Sequence, residues 1–290
     1  MRILLCTNGS PHMARALDVG TRVARLAATA VDILAVAGRN HEEEVYRSAE
    51  TAAADLEAAA IPITIYRRTG RVVEEVARQA QAVPYGLIVI GSRGRRGWAR
   101  LLLGSVALHV AAQVPASVLV VKGRTRDLRR FLVCSSAGPV SEHTVRFASR
   151  LARSLGALVT VLHVMSQLPL AEDALTDDLE ASAEELIERG APEGLHLSQM
   201  LNLLAGERLS SGRAVVRHGL VLDEIIAEAR EGQYDLLVIG SHVTPGLNAR
   251  LVDDLSADVL LTANRPVLVV HRLPLDGAGE DHAPGDTVTT

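Results

Sequence analysis

Short aliphatic runs alternate with longer amphipathic stretches along most of this chain. The runs have few polar interruptions, which is typical of strands buried on both faces of a parallel sheet. The stretches between them repeat their apolar residues at helical spacing. In the first part of the chain, the pattern predicts strands at 3–7, 31–37, 63–67, 87–90 and 118–121, with helices at 14–28, 42–60, 72–82 and 105–112.

The same pattern occurs a second time. Residues 2–36 align with 130–164 at an offset of 128, and Gly91-Ser92 aligns with Gly240-Ser241 at an offset of 149. The second copy therefore has about 21 extra residues, which lie between 166 and 212. Its predicted strands are 131–135, 159–164, 214–217, 236–239 and 267–270, and the extra residues predict helices at 175–189 and 195–209.

This repeated alternation of strands and helices predicts an α/β fold. Strands joined through helices pair in parallel with right-handed crossovers, so we expect two tandem doubly wound parallel-sheet domains. We place the domains at residues 1–125 and 129–273, on either side of a short charged connector. The tail at 274–290 is rich in Gly, Asp and Thr, and we expect it to be disordered.

Composition narrows the classes of function. The net charge is −4, the pI is about 6.2 and aromatic residues make up 2% of the chain. We therefore expect neither a nucleic-acid partner nor binding to an anionic membrane surface. Lys122 is the only lysine, and no Ser or Thr follows it, which excludes a Walker P-loop.

Two features bear on the compartment. Met1-Arg2 leads directly into an apolar strand without a secretory leader pattern, and Cys6 and Cys134 each lie within a strand-like run. We expect buried, reduced thiols and a cytoplasmic protein. The uncharged stretch 101–121 is interrupted by polar residues and Pro115, so we expect a helix and a strand there rather than a membrane span.

A glycine-rich segment follows the fourth predicted strand. It reads Gly91-Ser92-Arg93-Gly94, and nine residues later Gly104-Ser105 opens the next predicted helix. Glycine lets backbone N–H groups approach a phosphate closely, and the partial positive charge of a helix N-terminus favours an anion there. Because ligands of open parallel sheets bind beyond the carboxyl ends of the strands, we expect this segment and Asn8-Gly9-Ser10 to face one crevice.

The spacing Gly-x2-Gly-x9-Gly-Ser, the segment Leu4–Ser10 and the Val-Leu-Val-Val strand that ends each copy together resemble the universal stress protein family. The resemblance covers about residues 1–273 and implies an adenine nucleotide alpha hydrolase-like fold. It also implies that the terminal strands, 118–121 and 267–270, pair about a pseudo-twofold axis. That pairing would make an internal pseudo-dimer or support a homo-oligomer.

The resemblance further implies an ATP site in the first copy. Adenine would lie near Ala37, the ribose near Asn8 and Gly91, and the phosphates against Gly94 and Gly104. The residues assigned to the nucleotide site on this basis are Asn8, Gly9, Ser10, Ala37, Gly91, Arg93, Gly94, Arg95, Gly104, Ser105 and Val106. No catalytic residue and no metal ligand is assigned.

Two features of this site leave its chemistry open. Asn8 stands where the family usually has Asp. Its amide can hydrogen-bond a ribose hydroxyl but supplies no negative charge, so we expect Mg²⁺ to be held weakly if it accompanies ATP. Arg93, Arg95 and Arg96 either neutralise phosphate charge or face solvent.

The second copy departs from the motif. Arg93-Gly94 corresponds to His242-Val243, and Gly104-Ser105 corresponds to Asp253-Asp254. Carboxylates repel phosphate, and a Cβ obstructs close backbone approach, so we expect no ATP binding by the family mode in this copy. His163 lies on a buried-strand pattern and is expected in the core.

The sequence therefore predicts an ATP-binding stress-response or signalling protein with nucleotide in the first domain only. No catalytic triad, zinc-ligand spacing or positioned general base is visible, so we expect no enzymatic activity. Two alternatives stay open: a slow ATPase or phosphotransferase, and a nucleotide-free scaffold.

Overall fold

The computed structural model describes residues 1–38, 41–92, 105–123, 127–136, 138–166, 181–209, 212–241 and 253–271. We refer to residues 1–123 as the first half and to residues 127–271 as the second half. The first half contains β1 (Ile3–Thr7), α1 (Pro11–Ala27), β2 (Val31–Ala37), α2 (Glu42–Glu57), β3 (Ile63–Thr69), α3 (Val72–Ala82), β4 (Leu87–Gly91), α4 (Ser105–Gln113) and β5 (Ser117–Val121).

The second half repeats this order with one insertion. Its elements are β6 (Arg130–Cys134), α5 (Pro139–Leu155), β7 (Leu158–Met165), α6 (Ala183–Arg189), α7 (Pro192–Gly206), β8 (Arg213–His218), α8 (Val221–Glu231), β9 (Leu236–Ser241), α9 (Asp254–Thr262) and β10 (Val267–His271). The helical hairpin α6–α7 stands where the first half has the single helix α2.

All ten strands form one sheet in the order β3-β2-β1-β4-β5-β10-β9-β6-β7-β8. Neighbouring strands are parallel within each half, whereas β5 and β10 pair antiparallel, with Val120 opposite Val267 and Leu119 opposite Leu268. The order reverses between β1 and β4, and again between β6 and β9. The predicted tandem doubly wound fold is confirmed, as is the pairing of its terminal strands.

The sheet is buried on both faces. Ile3 and Leu5 of β1 contribute to one core cluster, which α1, α2, α5 and α7 cover. Leu4 and Cys6 contribute to a second cluster, which α3, α4, α8 and α9 cover. This burial explains the continuous aliphatic runs of the strands. No helix in the described part of the chain is long and apolar enough to span a membrane.

Two equivalent residues join the halves next to the β5–β10 seam. The Lys122 ammonium donates to the Leu260 carbonyl in the last turn of α9. His271 Nδ1 lies 3.1 Å from the Val114 carbonyl, just beyond α4. Both side chains are buried. Each half thus supplies a hydrogen-bond donor to the carboxyl-terminal end of a helix in the other half, where backbone carbonyls lack intrahelical partners.

The larger differences from the predicted boundaries lie at helix ends. Helix α1 begins at Pro11, before the predicted start at 14, because the fixed φ and missing N–H of proline suit the first helical position. Helix α2 ends at Glu57 rather than at 60. Beyond it, Ala60 takes a φ of +56°, and the Ile61 N–H donates to the Leu56 carbonyl at 3.1 Å.

The described part of the insertion confirms a helical hairpin with shifted ends. Ser182 and Glu185 form a reciprocal capping box that starts α6. Helix α7 begins at Pro192 rather than at the predicted 195, again with proline in its first turn. Residues 175–180, which belong to the first predicted helix, lie outside the described residues. Because α7 packs against α5 and β7, the hairpin reaches the carboxyl end of the second half's sheet.

Candidate functional site

The switch in strand order places a crevice at the carboxyl ends of β1 and β4 in the first half. Thr7 ends β1 and Gly91 ends β4, and Ser92 follows with its N–H donating to the Val121 carbonyl at 2.9 Å. Ala37 ends β2 at the same edge of the sheet. Open α/β sheets bind ligands at this kind of position.

The loop after β1 is held by its own side chains. Asn8 Oδ1 accepts hydrogen bonds from the Ser10 N–H (3.2 Å) and the Ser10 hydroxyl (2.6 Å). The Gly9 N–H donates to Thr7 Oγ1 at 3.2 Å. Gly9 takes a φ of +75°, which favours glycine, and a Cβ there would lie 3.1 Å from Val45 Cγ2. The side-chain oxygen of Asn8 is therefore engaged inside the loop.

Gly91 has a packing role that the sequence motif does not reveal. A Cβ built on Gly91 would lie 2.9 Å from the Met13 Cα, and closer still to the His12 backbone. The Gly91 N–H also lies 3.1 Å from Met13 Sδ. Gly91 thus lets the first turn of α1 rest directly on the end of β4. Gly240 is also crowded in the second half, but by side chains: a Cβ there would lie 2.8 Å from Val140 Cγ1 of α5 and closer still to Thr144 Oγ1.

The remaining predicted site residues fall into three groups. Ala37 is fully buried, and its carbonyl accepts the Gly70 N–H at 3.2 Å. Ser105 begins α4, and the Val106 side chain beside it is exposed. The predicted residues Arg93, Gly94, Arg95 and Gly104, together with Arg96, lie outside the described residues. The structure therefore brings Asn8, Gly9, Ser10 and Gly91 to neighbouring strand ends, and the segment predicted to bind phosphate, residues 93–104, lies outside the described residues.

In the second half, the start of the equivalent helix, α9, is capped by a carboxylate of the chain itself. Asp253, the counterpart of Gly104, is the N-cap of α9, and its Oδ1 accepts the Ser256 N–H at 2.7 Å. Its own N–H reaches Ser241 Oγ at 3.4 Å. Asp254 adds a second carboxylate in the first turn. One backbone donor of this helix end is thus already paired, and the local charge is negative.

A crevice of about 300 Å³ remains at the carboxyl ends of β6, β7 and β9. Its walls combine aliphatic side chains, Leu162, Val164 and Ile239 among others, with several Ser and Thr hydroxyls, His163 and Asp253. This lining offers an anion little positive charge.

A polar cluster beside this crevice was not predicted from the sequence. His196, delivered by α7, places its Nε2 2.8 Å from Ser135 Oγ, while His163 Nδ1 lies 3.1 Å from the Ser135 carbonyl. The two imidazole rings are 5.9 Å apart, edge to face. Burial, and then the nearby His163, lower the pKa of His196. His163 had been expected in the core. It is instead half-buried and hydrogen-bonded.

The sequence did not reveal this cluster, because the hydrogen bond of His163 is to the Ser135 carbonyl of another strand end and its neighbouring ring, His196, comes from the insertion. Among the described residues, no group of three or more His, Cys, Asp or Glu side chains is arranged to hold a metal ion.

Both cysteines are free thiols. Cys6 is buried as predicted, and Cys134 is half-buried. Burial raises the pKa of Cys6 far above its usual range and raises the pKa of Cys134 to about 12. Neither thiol is set up as a thiolate nucleophile at neutral pH.

The fold defines a class: a tandem α/β protein built from two doubly wound, mainly parallel units. The universal stress protein family matches residues 1–122 and again 127–271. The chain belongs to this family, whose model covers both halves.

Similar proteins agree with this assignment. Universal stress protein YxiE of Bacillus subtilis (strain 168) is 25% identical over 144 residues, which are 49% of this chain and 97% of that protein. The crystal structure of a universal stress protein from Archaeoglobus fulgidus DSM 4304 has a TM-score of 0.68 at 19% identity, covering 93% of this chain and 98% of that one. PA1789 of Pseudomonas aeruginosa PAO1, a functionally unknown protein, has a TM-score of 0.65 at 17% identity, covering 93% and 92%. The two structures share the tandem fold.

Proposed function

We propose that this protein is a stress-response module that binds ATP in the first half only and changes its conformation or its choice of partner with bound nucleotide. In this proposal the halves are two domains, 1–125 and 129–273. The nucleotide lies among Asn8, Gly9, Ser10, Ala37, Gly91 and the loop that leads into α4. The second domain acts as a fixed structural partner across the β5–β10 seam.

The contrast between the starts of α4 and α9 is the observation that carries the proposal. Asp253 caps α9 with its carboxylate at 2.7 Å from the Ser256 N–H. The aligned residue before α4 is Gly104, which has no side chain with which to cap a helix. The unpaired N–H groups and the partial positive charge of α4 are then available to a phosphate, whereas those of α9 face a built-in anion.

The donor set fits the nucleotide better than it fits a metal ion. Asn8 Oδ1 already accepts two hydrogen bonds from Ser10, and within the described residues its Nδ2 has no partner. That amide group can therefore donate to a ribose hydroxyl, but it brings no charge for Mg²⁺. We expect ATP binding that depends only weakly on Mg²⁺.

A thermal-shift series with Gly104→Asp tests the site. ATP at 100 times its Kd should stabilise the wild type by about 2.7 kcal/mol and raise the Tm accordingly. Gly104→Asp installs the carboxylate that α9 already carries, so the variant should fold, with α4 capped as α9 is. The ATP-induced rise in Tm should be absent from this variant.

Asp253→Gly is the matched control, since it alters the same position in the other half and should leave the ATP response unchanged. An equal response in wild type and Gly104→Asp would place the nucleotide away from α4 and contradict the proposal. No rise in nucleotide-free wild type would favour the scaffold alternative. Steady phosphate release that Gly104→Asp abolishes would favour the slow ATPase. AMP and cyclic AMP, run in parallel, report how much the phosphates contribute.

A further inference from the structure

A cleft of about 560 Å³ separates the two halves on the face covered by α1 and α5. One wall is the amino-terminal edge of the first half's sheet, and the other is the side of α5. The residues that line it include Met1, Thr29, Gly86, Phe147, Arg150 and His271. Arg150 is exposed, and within the described residues its guanidinium has no hydrogen-bond or ion-pair partner.

The pseudo-twofold axis relates this cleft to a position that the chain itself fills. There, Arg22, the counterpart of Arg150 at the offset of 128, pairs with Asp127 of the connector at 2.5 Å. Leu128, the next residue, is buried in the core cluster that spans both halves. The connector thus fills one of two equivalent positions. Its Asp127 carboxylate pairs with Arg22, and its Leu128 side chain enters the core.

The sequence after β10 repeats one feature of the connector, an aspartate at the same distance beyond the strand, although its leucines precede the aspartate whereas Leu128 follows Asp127. Asp127 follows Lys122 by five residues, and Asp276 follows His271, the counterpart of Lys122, by the same five residues. The residues between His271 and Asp276 include two leucines, Leu273 and Leu275. His271, the last residue of β10, lines the open cleft, so the strand ends there.

We propose that residues 272–276 occupy the open cleft as a peptide, with the Asp276 carboxylate paired to Arg150 as Asp127 pairs to Arg22. The leucines of the segment cover the apolar wall formed in part by Phe147. Residues 272–276 lie outside the described residues, and three observations carry the proposal: the point where β10 ends, the matched offset of the two aspartates, and the complementary charge of Arg150.

A buried acceptor in the cleft wall agrees with a peptide occupant. The Nδ1 of His271 faces the Val114 carbonyl, so Nδ1 carries the proton and Nε2 is left as an acceptor. Within the described residues this buried Nε2 has no hydrogen-bond partner. A peptide backbone carries N–H donors along its whole length, whereas an aliphatic ligand carries none.

Limited trypsin digestion of the full chain tests the proposal. Cleavage after Arg272 releases Leu273–Thr290 as a single peptide, because that stretch contains no Lys or Arg. Mass spectrometry follows its initial release rate. Arg150→Ala and Asp276→Asn should each raise the rate by about two- to fivefold, the range for loss of one exposed ion pair that holds a docked segment. The double variant should release the peptide no faster than the faster single variant, since both changes break the same contact.

Two matched controls make the test specific. Asp286→Asn removes an acidic residue further along the tail, and Arg146→Ala removes an exposed arginine of α5 that does not line the cleft. Neither should change the rate. Asp276→Asn keeps the test valid if Arg150→Ala fails to fold. Equal rates in all variants, or an equal increase with Asp286→Asn, would overturn the proposal and leave the cleft to a separate ligand or a second copy of the chain.

Discussion

At the scale of single residues, Gly91 shows that a glycine of the motif can be required by packing alone, whether or not a ligand binds. Its missing Cβ lets the backbone of α1 approach β4, and Gly240 leaves room for the Val140 and Thr144 side chains of α5 near the end of β9. The first glycine of the motif therefore has a structural reason in both halves. Its presence in the second half is no evidence for a nucleotide there.

Gly91→Ala should destabilise the protein whether or not nucleotide is present. The new Cβ would lie 2.9 Å from the Met13 Cα, and backbone atoms cannot rotate away as a flexible side chain can. We expect a loss of about 1–3 kcal/mol in the free energy of unfolding, measured by urea denaturation without ATP. Gly38→Ala is the control, since a Cβ there would have no neighbour within 4 Å. Equal stability of the two variants would show that α1 does not rest on Gly91.

Several residues could not be placed from the sequence. Asp32 lies within an aliphatic strand run and is buried, with Arg2 at 2.8 Å and the Tyr85 hydroxyl at 2.5 Å. Both partners are far from Asp32 in the sequence, so no local sequence pattern predicts these contacts. Asn8 was predicted to lie at the strand end, but its engagement with Ser10 depends on rotamers that sequence spacing does not specify.

At the scale of secondary-structure elements, the helices and strands followed closely from periodicity. The inner strands are largely buried on both faces, so they are aliphatic runs that the sequence displays directly. The edge strands β3 and β8 are more exposed and carry arginines, and their shorter apolar runs still located them. Helix ends were harder to predict, because caps such as Ser182 with Glu185 act through local hydrogen bonds rather than through periodicity. The docking of α7 through His196 onto Ser135 had no sequence signal.

The β5–β10 seam should make stability depend on pH through His271. Burial lowers the pKa of this imidazole to about 4, while the Val114 carbonyl and Asp253 act in the opposite direction. The unfolded chain, with a His pKa near 6.5, then binds more protons than the folded chain between about pH 6.5 and 4. Stability is therefore complete above about pH 6.5 and falls as the pH drops through that window, by up to about 3 kcal/mol.

His271→Asn should flatten this part of the pH profile, because the amide keeps a donor for the Val114 carbonyl and does not titrate. Urea unfolding between pH 7.5 and pH 4, compared with wild type, measures the difference that belongs to His271. The exposed His41→Asn variant should retain the wild-type slope. A His271→Asn profile parallel to that of wild type would mean that the imidazole does not stay neutral in the folded protein.

At the scale of the whole molecule, the internal repeat predicted the topology. Two offsets located both copies, and the resemblance to the family predicted the pairing of their terminal strands. That pairing also covers apolar edges that would otherwise invite association. The relation between the cleft and the connector could not be predicted in this way, because it depends on how the two halves sit across the seam.

Covalent connection of the halves should make unfolding independent of protein concentration. The β5–β10 pairing joins two parts of one chain, so its formation is a first-order event, unlike the association of two separate chains. The urea midpoint should be the same over a hundredfold dilution. A midpoint that rises with concentration would instead indicate a homo-oligomer that contributes to stability.

The occurrence of glycine at the equivalent positions 91 and 240 also bears on how duplicated sequences differ. Under the proposed function, a motif residue that the fold also needs is retained in a copy that binds no ligand, whereas a residue that only the ligand needs can differ between the copies. Glycine stands near the end of both strands, as Gly91 and Gly240, whereas the residue before the next helix is Gly104 in one half and Asp253, the N-cap of α9, in the other. Two copies within one polypeptide thus separate the requirements of the fold from those of a ligand.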